Sequence, residues 1–468
     1  MRKIRPMIIT LALMVSSIMG AQEKARFSFP QTEQGQRVAA YFAAFNSGDE
    51  QRMSSFIQEH LSVEAVGKMP LSERLERFHT IKQQAGELDP QKVLSESPGQ
   101  FRLLARDSSG RLLEITFTFE AAEPRKILSI MINLVEESEV MDLSGPPLTR
   151  KEMVGEIAAE IDRRSKEGTF SGVVLLAYQG DVIFHKACGL ASVEYGIANR
   201  SDTRFNLGSI NKIFTQVAIE QLAEKGKLSL DDHIDRFLPE YPNPEAAGKI
   251  SIRHLLEMTS GIGDFFGPDY VATPKDRIRS LSDYLPLFAS KPLLFEPGSK
   301  RQYSNGGYIV LGLIIEKVSG MSYYDYTAEN IYKPAGMTNS GHPFSDIPET
   351  NMASGYTRRW DQGNHEDEPR RNNIHTRPAR GSSAGGGYST AMDLLKFATA
   401  IKEGRLLGPS GMARFPGAMA FAGGAPGINA ELDINPVPGY TVVVLSNYDP
   451  PAASSMAKKI GALLKRLT

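Results

Sequence analysis

Hydrophobic and polar residues follow two different rhythms along the first part of the chain. Over residues 31–61 apolar residues recur at every third or fourth position, which predicts helix, and the polar turn FNSGDE interrupts the run. A second helical run follows in LSERLERFHTIKQQAG. From residue 100 polar and apolar residues alternate around turn signals at 107–110 and 123–124, which predicts an antiparallel meander.

Helices followed by an antiparallel sheet predict a small α+β domain over residues 27–137. The element order and the FNSGD turn resemble the cone-shaped fold of nuclear-transport-factor-like and ketosteroid-isomerase-like proteins. No catalytic set is visible in this part, so we interpret it as a binding or spacing module. Gly145, Pro146 and Pro147 then break the pattern and predict a linker over residues 138–150.

The remainder, residues 151–468, predicts a larger α/β domain. It opens with a helix and a hairpin that turns at 179–181. It closes with strands in INAELDI and YTVVVLSNY and with an amphipathic helix, and the chain between is mostly helical. Strands from both ends of this domain predict one antiparallel sheet flanked by the terminal helices.

Composition narrows the function classes only a little. A chain of 468 residues exceeds what one hydrophobic core usually serves, which agrees with two domains. The 41% hydrophobic and 23% charged residues are those of an ordinary soluble protein. The net charge of -1 gives no reason to expect a nucleic-acid partner. The single cysteine, Cys188, excludes an intramolecular disulfide.

The first 21 residues have the layout of a secretory signal, with a basic start, a short apolar stretch and then small residues. The apolar stretch, residues 7–21, is shorter than the roughly 20 residues that a membrane span needs. No cysteine lies there to carry a lipid. We therefore predict export to the periplasm or the extracellular space, without a stable membrane anchor.

A serine and a lysine three residues apart open the helical run SINKIFTQVAI. Lys212 lies on the same helix face as Ser209, one turn away. A lysine held among apolar residues loses solvation, which favours its neutral form, so it can take a proton from a nearby hydroxyl. The alternative is a helix cap followed by an exposed lysine. The spacing alone does not decide between them, because chance copies of it are common.

A second motif, Tyr303-Ser304-Asn305, lies in a turn before the apolar helix GGYIVLGLIIEKV. A tyrosine there can transfer a proton if a nearby lysine stabilises its phenolate, and Asn305 can hold a substrate amide. The two motifs and the segments LSLDDHIDRFLPEYP, ISIRHLLEMTSGI and SSAGGGYSTAMDLLKFA occur in one order. Over residues 155–468 the chain resembles the serine β-lactamase and penicillin-binding-protein superfamily. The Tyr-x-Asn motif matches its branch of class C β-lactamases, D-alanyl-D-alanine carboxypeptidases and esterases.

The resemblance implies a role for each motif residue. Ser209 corresponds to the serine that is acylated, and Lys212 and Tyr303 to the general-base pair. Asn305 corresponds to a substrate-orienting residue. The implied function is an exported serine hydrolase that acts through an acyl-enzyme on an ester, an amide or a β-lactam, with no cofactor or metal. The implied partner is a small-molecule or peptide substrate, and the sequence does not choose among these substrates.

The third motif departs from the pattern of the resembled family, which has Lys-Thr-Gly or His-x-Gly on a strand beside the nucleophile. Here Phe421, Ala422 and Gly423 occupy the triplet, and Gly424 takes the oxyanion position. Glycine lets a substrate carbonyl approach the backbone, so Gly423 and Gly424 are predicted to bind substrate. The phenyl ring of Phe421 cannot donate a hydrogen bond or attract a carboxylate. Anionic substrates are therefore expected to react more slowly than small neutral esters.

The segment before this motif, EGRLLGPSGMARFPGAMA, is shorter than is usual in the resembled family. Such a shortening can remove a strand of the sheet or move the motif into another register. The altered motif and the short segment favour an alternative function. In that alternative the protein is a catalytically impaired penicillin-binding sensor or scaffold that is acylated but turns over poorly.

Other catalytic and binding motifs are weaker. GSSAG, residues 381–385, fits the Gly-x-Ser-x-Gly nucleophile elbow with Ser383, but no strand precedes it and no helix follows directly. No His-Glu-x-x-His motif predicts a metal, and no glycine-rich run follows a strand with dinucleotide-binding spacing. The charged stretch 358–380 is interpreted as a solvated loop.

Overall fold

The computed structural model describes residues 27–122, 124–135, 145–360, 363–365, 367–415 and 417–467. The chain divides into two compact units between Ser144 and Gly145. The predicted signal segment lies outside the described residues, as does most of the predicted linker, so export stays a prediction. Over the described ranges, no helix is both long and apolar enough to cross a membrane.

Within its described residues, the first unit combines four helices with one antiparallel sheet, in which the strands follow chain order from β1 to β4. Its elements are α1 (Glu33–Ser47), α2 (Glu50–His60), α3 (Val63–Lys68), α4 (Leu71–Ala85), β1 (Leu88–Ser97), β2 (Gln100–Asp107), β3 (Leu112–Phe119) and β4 (Ile127–Val135).

The break between α1 and α2 follows directly from the FNSGD turn. Gly48 adopts φ 68°, a left-handed conformation that glycine takes without steric penalty, and its N–H bonds to Phe45 O. The side chain of Asp49 then accepts hydrogen bonds from the first backbone N–H groups of α2. The core of this unit is aromatic, with Phe45, Phe101 and Phe117 fully buried between helices and sheet.

Strand β1 is an addition to the predicted meander. Its residues are mostly polar, it contains Pro90, and its register with β2 shifts between Pro90 and Lys92. Because β1 lies at the edge of the sheet, proline and bulges are tolerated there, and the alternating pattern that marks an interior strand is lost. The predicted strands of the meander are present as β2, β3 and β4.

The second unit contains the sheet predicted from the two ends of the domain. Its strands lie in the order β15-β16-β17-β5-β6, and every neighbouring pair is antiparallel. The five strands are β5 (Gly172–Tyr178), β6 (Asp181–Cys188), β15 (Met419–Ala425), β16 (Ile428–Ile434) and β17 (Tyr440–Ser446). The hairpin β5–β6 turns through Gln179 and Gly180 at positive φ, as a tight two-residue turn requires.

The described residues of the second unit form a series of α-helices. They are α5 (Arg150–Lys166), α6 (Lys212–Glu224), α7 (Pro244–Lys249), α8 (Ile252–Leu256), α9 (Pro268–Ala272), α10 (Leu285–Phe288), α11 (Asn305–Ser319), α12 (Tyr323–Thr327), α13 (Lys333–Ala335), α14 (Ala391–Lys402), α15 (Pro409–Met412) and α16 (Ala452–Leu464).

The second unit also contains short pairs of antiparallel strands. They are β7 (Leu190–Ser192) with β8 (Ile197–Ala198), β9 (Phe205–Asn206) with β14 (Tyr388–Ser389), β10 (Tyr356–Thr357) with β13 (Arg371–Asn372), and β11 (Arg359–Trp360) with β12 (Gly363–Asn364).

The two faces of the sheet belong to different cores, because side chains alternate along each strand. Val174 and Val444 face the terminal helices α5 and α16. Val173 and Leu445 face the larger core, to which the helical segments between the strands contribute. Helix α6 lies in that larger core, which places its first turn beside the sheet.

Strand β15 is present despite the short segment that precedes it. It pairs with β16 along its whole length, with Phe421 opposite Leu432 and Gly423 opposite Ala430. The side chain of Asn429 in β16 donates to Gly423 O over 3.1 Å and accepts from the N–H of Ala453 at the start of α16 over 2.7 Å. The strand that carries the third motif is therefore present, although the segment before it is short.

Candidate active site

Ser209 lies on a short 3₁₀ turn, Gly208–Asn211, that leads directly into α6. The sequence predicts Ser209 at the start of the helix, and the structure begins the α-helix at Lys212 instead. The tighter turn keeps Ser209 half-buried while Ile210 beside it is fully buried. The hydroxyl group is thereby exposed to a cavity at the end of a rigid, well-packed element.

The Lys212 amine makes three close contacts. Its Nζ lies 3.3 Å from Ser209 Oγ, donates to Asn305 Oδ1 over 2.7 Å, and donates to the carbonyl oxygen of Ala384. The lysine is 7% exposed, so these groups take the place of water around the amine. Lys212 is therefore buried, which contradicts the alternative of a helix cap followed by an exposed lysine.

Burial lowers the pKa of Lys212 to about 7, and the negative charge of Asp264 opposes that shift. A neutral amine has two N–H groups and one lone pair. Asn305 Oδ1 and the Ala384 carbonyl accept the two N–H groups. The lone pair is then left for the Ser209 hydroxyl proton, which is the arrangement that a general base needs.

Tyr303 donates a hydrogen bond from its hydroxyl to Ser209 Oγ over 2.7 Å. Burial around the hydroxyl raises the pKa of Tyr303, although 52% of the residue is exposed, and the hydrogen bond with Ser209 opposes the shift. The amine of Lys212 lies 4.8 Å from the centre of the tyrosine ring. Tyr303 is thus a neutral donor to the serine oxygen, and Lys212 is the group that can be deprotonated near neutral pH.

Asp264 orients Asn305, and no motif in the sequence indicates this role. Asn305 Nδ2 donates to Asp264 Oδ2 over 2.7 Å, which turns Asn305 Oδ1 towards Lys212. Asp264 follows the TSGI segment that closes one of the ordered blocks of the sequence. The presence of an acidic residue after this segment was the sequence signal that could have indicated its role.

A buried network holds the segment that contains the Ala384 carbonyl. Thr215 donates to Ser383 O over 2.7 Å and exchanges a hydrogen bond of 2.9 Å with the hydroxyl of Tyr323. Asn211 Nδ2 donates to Ser382 O over 2.9 Å. Asn211 and Thr215 therefore hold the segment in which the carbonyl of Ala384 accepts a hydrogen bond from Lys212.

Ser383 is not a second nucleophile. Its side chain is fully buried, and a Cβ atom added to Gly312 in α11 would lie 2.4 Å from its Oγ. No hydrogen-bond partner of this hydroxyl is found among the described residues. A nucleophile must reach substrate, so the structure supports the rejection of the nucleophile elbow in GSSAG.

The third motif keeps its backbone geometry. A Cβ atom on Gly423 would lie 1.9 Å from Leu207 O and 3.0 Å from Ser209 N, so only glycine permits this approach. A Cβ atom on Gly208 would lie 3.0 Å from Gly424 N. The backbone of residues 423–424 therefore lies against the turn Gly208–Asn211 that carries Ser209, called the nucleophile turn below for its proposed role. Phe421 packs, partly buried, against the larger core.

A cavity of about 560 Å³ opens beside Ser209. Asn305 and Gly424 line it together with the serine. One wall is aromatic, with Phe265 and Tyr284 at 4.7 Å between ring centres. The cavity can hold a substrate with a bulky apolar group next to the reactive hydroxyl.

The prediction that the charged stretch 358–380 is a solvated loop is wrong in part. Arg377 near its end is half-buried and lines the cavity. Its side chain bonds to Tyr388, which brings it into the protein. Sequence alone could not separate this arginine from its exposed neighbours.

The described part of the chain contains no cluster of three or more histidine, cysteine, aspartate or glutamate residues that could hold a metal ion. The groups around Ser209 are a hydroxyl, an amine, a phenol, an amide and backbone N–H groups. That set can carry out acyl transfer through the protein's own side chains.

The family model described as Beta-lactamase matches residues 157–424 of the chain. Penicillin-binding protein 4* of Bacillus subtilis (strain 168) is 38% identical over 173 residues, which is 36% of this chain and 38% of that protein. Esterase EstB of Burkholderia gladioli is 31% identical over 215 residues, 43% of this chain and 54% of the esterase. The matched segments thus span less than two thirds of either relative.

A solved structure matches a larger share of the chain. The crystal structure of a penicillin-binding protein from Bacillus halodurans aligns with a TM-score of 0.59 and 30% identity, covering 65% of this chain and 99% of that protein. These likenesses confirm the predicted β-lactamase-like fold, and the family model assigns it to residues 157–424. The likeness of the first unit to nuclear-transport-factor-like proteins stays a prediction.

Proposed function

The chain belongs to the β-lactamase family, and from this premise we propose that it is a serine hydrolase that acts through an acyl-enzyme on Ser209. The observation that carries the proposal is the position of Ser209 Oγ between a low-pKa amine and a phenol donor. Lys212 Nζ lies at 3.3 Å and Tyr303 OH at 2.7 Å from that oxygen.

Acylation begins with transfer of the Ser209 hydroxyl proton to the neutral amine of Lys212. The serine oxygen bonds to the substrate carbonyl carbon, and the carbonyl oxygen takes the negative charge. The N–H groups of Ser209 and Gly424 are the donors proposed for that oxyanion. The tetrahedral carbon then expels its leaving group, which takes a proton from Tyr303, and Lys212 returns one to the tyrosine.

Deacylation repeats these steps with water as the attacking group. Water gives a proton to the Lys212–Tyr303 pair, its oxygen bonds to the acyl carbon, and the bond to Ser209 Oγ breaks as the serine regains a proton. Esters, amides and β-lactams all follow this route. The esterase and the penicillin-binding proteins among the relatives support an ester, amide or β-lactam substrate.

A second candidate function is favoured by Phe421, which lacks the polar group of the third motif. In this candidate penicillin acylates Ser209 and the acyl group is released slowly. The protein then acts as a penicillin-binding sensor or scaffold. The two candidates share the acylation step and differ in whether the acyl-enzyme accumulates.

Labelling with a fluorophosphonate tests the proposal. The serine oxygen bonds to phosphorus and fluoride leaves, so mass spectrometry of the intact protein and its peptides identifies the modified residue. Ser209→Ala should abolish labelling and lower the turnover of p-nitrophenyl acetate by at least about 10³-fold, with nearly unchanged thermal unfolding. The matched control Ser383→Ala should keep both.

Two outcomes contradict the proposal or separate its forms. Labelling that persists in Ser209→Ala, or that is lost in Ser383→Ala, assigns the nucleophile elsewhere. A penicillin adduct on Ser209 that persists for hours, without ester turnover, supports the sensor and contradicts the hydrolase.

A further inference from the structure

The cavity beside Ser209 has one cationic side chain without an acidic partner. Among the residues that the structure describes, the charged side chains lining the cavity are Glu349 and Arg377. Glu349 is ion-paired with Arg204 over 2.9 Å. Arg377 has no ion pair with any described carboxylate, so its charge is available to a molecule in the cavity.

Tyr388 holds the Arg377 side chain in place. One terminal nitrogen of the guanidinium, Nη1, donates to the Tyr388 hydroxyl, and Nε is buried without a partner among the described residues. The other terminal nitrogen, Nη2, has no hydrogen bond within the described ranges and is the donor left for a ligand. A guanidinium presents its donors as a planar fork that matches a carboxylate, so a partly used fork is a ready anion receptor. The half-burial of Arg377 reduces competition from water.

Tyr388, which holds Arg377, is linked to the turn that carries Ser209. Tyr388 pairs directly with Asn206 in the β9–β14 ladder. Asn206 Oδ1 accepts the Gly208 N–H over 2.9 Å, in the turn that carries Ser209. The cation is therefore fixed relative to the reactive hydroxyl by two short, ordered links.

We propose that Arg377 binds the carboxylate of an acidic substrate whose apolar part fills the aromatic side of the cavity. The substrate class is an ester or amide that carries one carboxylate and one aromatic or alkyl group. Arg377 thereby supplies the charge recognition that Phe421 does not. The sequence predicts a slower reaction of anionic substrates because Phe421 in the third motif has no polar group. Arg377 lies outside that motif, in the loop before β14, and supplies a positive charge there. The inference rests on the proposed acyl-enzyme at Ser209.

The test compares two esters of matched length, mono-p-nitrophenyl glutarate, which is anionic, and p-nitrophenyl glutaramate, its neutral amide. The measured quantity is the ratio of their kcat/KM values in wild type, Arg377→Gln, Arg377→Lys and the exposed control Arg200→Gln. Loss of a charge-assisted hydrogen bond should lower the ratio about 10- to 100-fold in Arg377→Gln. Arg377→Lys should retain part of the preference, and Arg200→Gln all of it.

An unchanged ratio in Arg377→Gln, or an equal loss for both esters, overturns the proposal. Thermal unfolding of each variant is measured as well, and Arg377→Lys keeps the test informative if the glutamine variant fails to fold. Retention of the full ratio in Arg377→Lys together with Arg377→Gln would likewise overturn it.

A binding measurement separates this inference from the proposed function. Isothermal titration of Ser209→Ala with the glutarate ester reports carboxylate recognition without turnover. Binding that weakens about 10-fold or more when Arg377→Gln is added supports the anion site even if the wild type hydrolyses neither ester. Binding that does not depend on Arg377 overturns the anion site even if Ser209 is the nucleophile.

Discussion

The two walls that meet at Ser209 differ in what they retain. On the helical wall, Lys212 and Tyr303 each bond to the Ser209 hydroxyl, and Asn305 holds the amine of Lys212. On the sheet wall, the backbone of Gly423 approaches the nucleophile turn closely, while the side chain of Phe421 has no polar atom.

This difference separates two requirements of an acyl-transfer site. In the proposed reaction, proton transfer and oxyanion stabilisation depend on the helical wall and on the main chain of β15. Recognition of substrate charge depends on a side chain, and it can move to another element without disturbing the backbone. The site can therefore lose the polar group of one motif while its reaction geometry remains.

The sheet wall is tested most directly by Gly423→Ala. The new methyl group would lie 1.9 Å from Leu207 O, so β15 must move away from the nucleophile turn. Loss of an oxyanion donor should lower kcat/KM for a neutral ester by about 100- to 1,000-fold. Steady-state kinetics with p-nitrophenyl butyrate measures the effect.

The neighbouring Ala422→Ser is the matched control, because Ala422 is exposed on the same strand. It should retain activity and thermal stability. Activity of Gly423→Ala within about threefold of wild type would show that the close backbone approach has no catalytic role.

A smaller effect is expected from Phe421→His, which restores a polar side chain to the sheet wall. One charge-assisted hydrogen bond is worth about 1.5–3 kcal/mol, so kcat/KM for a penicillin or a glutarate ester should rise about 10- to 100-fold more than for a neutral ester. The substitution should also recover part of the charge preference lost in Arg377→Gln. Phe421→Leu, which stays apolar, is the control, and equal changes for both substrate types would contradict the separation of the two walls.

The helical wall sets the pH dependence. Lys212 must be neutral to accept the serine proton, and burial lowers its pKa to about 7. The kcat/KM for a neutral ester should therefore rise with pH through about 7 and fall about tenfold for each pH unit below it. A pH–rate profile from pH 5.5 to 8.5 measures this, and a flat profile would contradict the role of Lys212 as base.

The same pKa shift has a consequence for stability. In the unfolded chain this lysine titrates near 10.5, so between about pH 7 and 10.5 the unfolded state binds more protons than the folded state. The contribution of Lys212 to the free energy of unfolding therefore rises with pH across that window. Lys212→Met should flatten this rise, whereas Lys249→Met, which removes an exposed lysine, should not.

Much of the fold was predictable because local chemistry and tertiary structure agree. The turn at Gly48 and the hairpin at Gly180 need left-handed backbone, and glycine marks both. The buried strands β5 and β17 are continuous apolar runs, which predict interior strands. Ser209 and Tyr303 were predicted from the order of the motifs, and the structure brings them within hydrogen-bond distance.

The missed features have identifiable physical reasons. Strand β1 carries Pro90 and few apolar residues because it lies at a sheet edge. The Ala384 carbonyl that orients Lys212 is a main-chain group, so no residue type marks it. Arg377 lies in a charged segment, and only the pairing of β9 with β14 brings it to the cavity. Each depends on contacts between residues that are distant along the chain.

The side chain of Asn429 links helix α16 to the strand that lies against the Ser209 turn. Its oxygen accepts the first N–H groups of α16, at Ala453 and Ser454, while its nitrogen holds the carbonyl of Gly423. Displacement of α16 would thus be transmitted through a single amide to the glycine that touches the nucleophile turn. Helix α16 therefore helps to hold the backbone of Gly423 against the turn that carries Ser209.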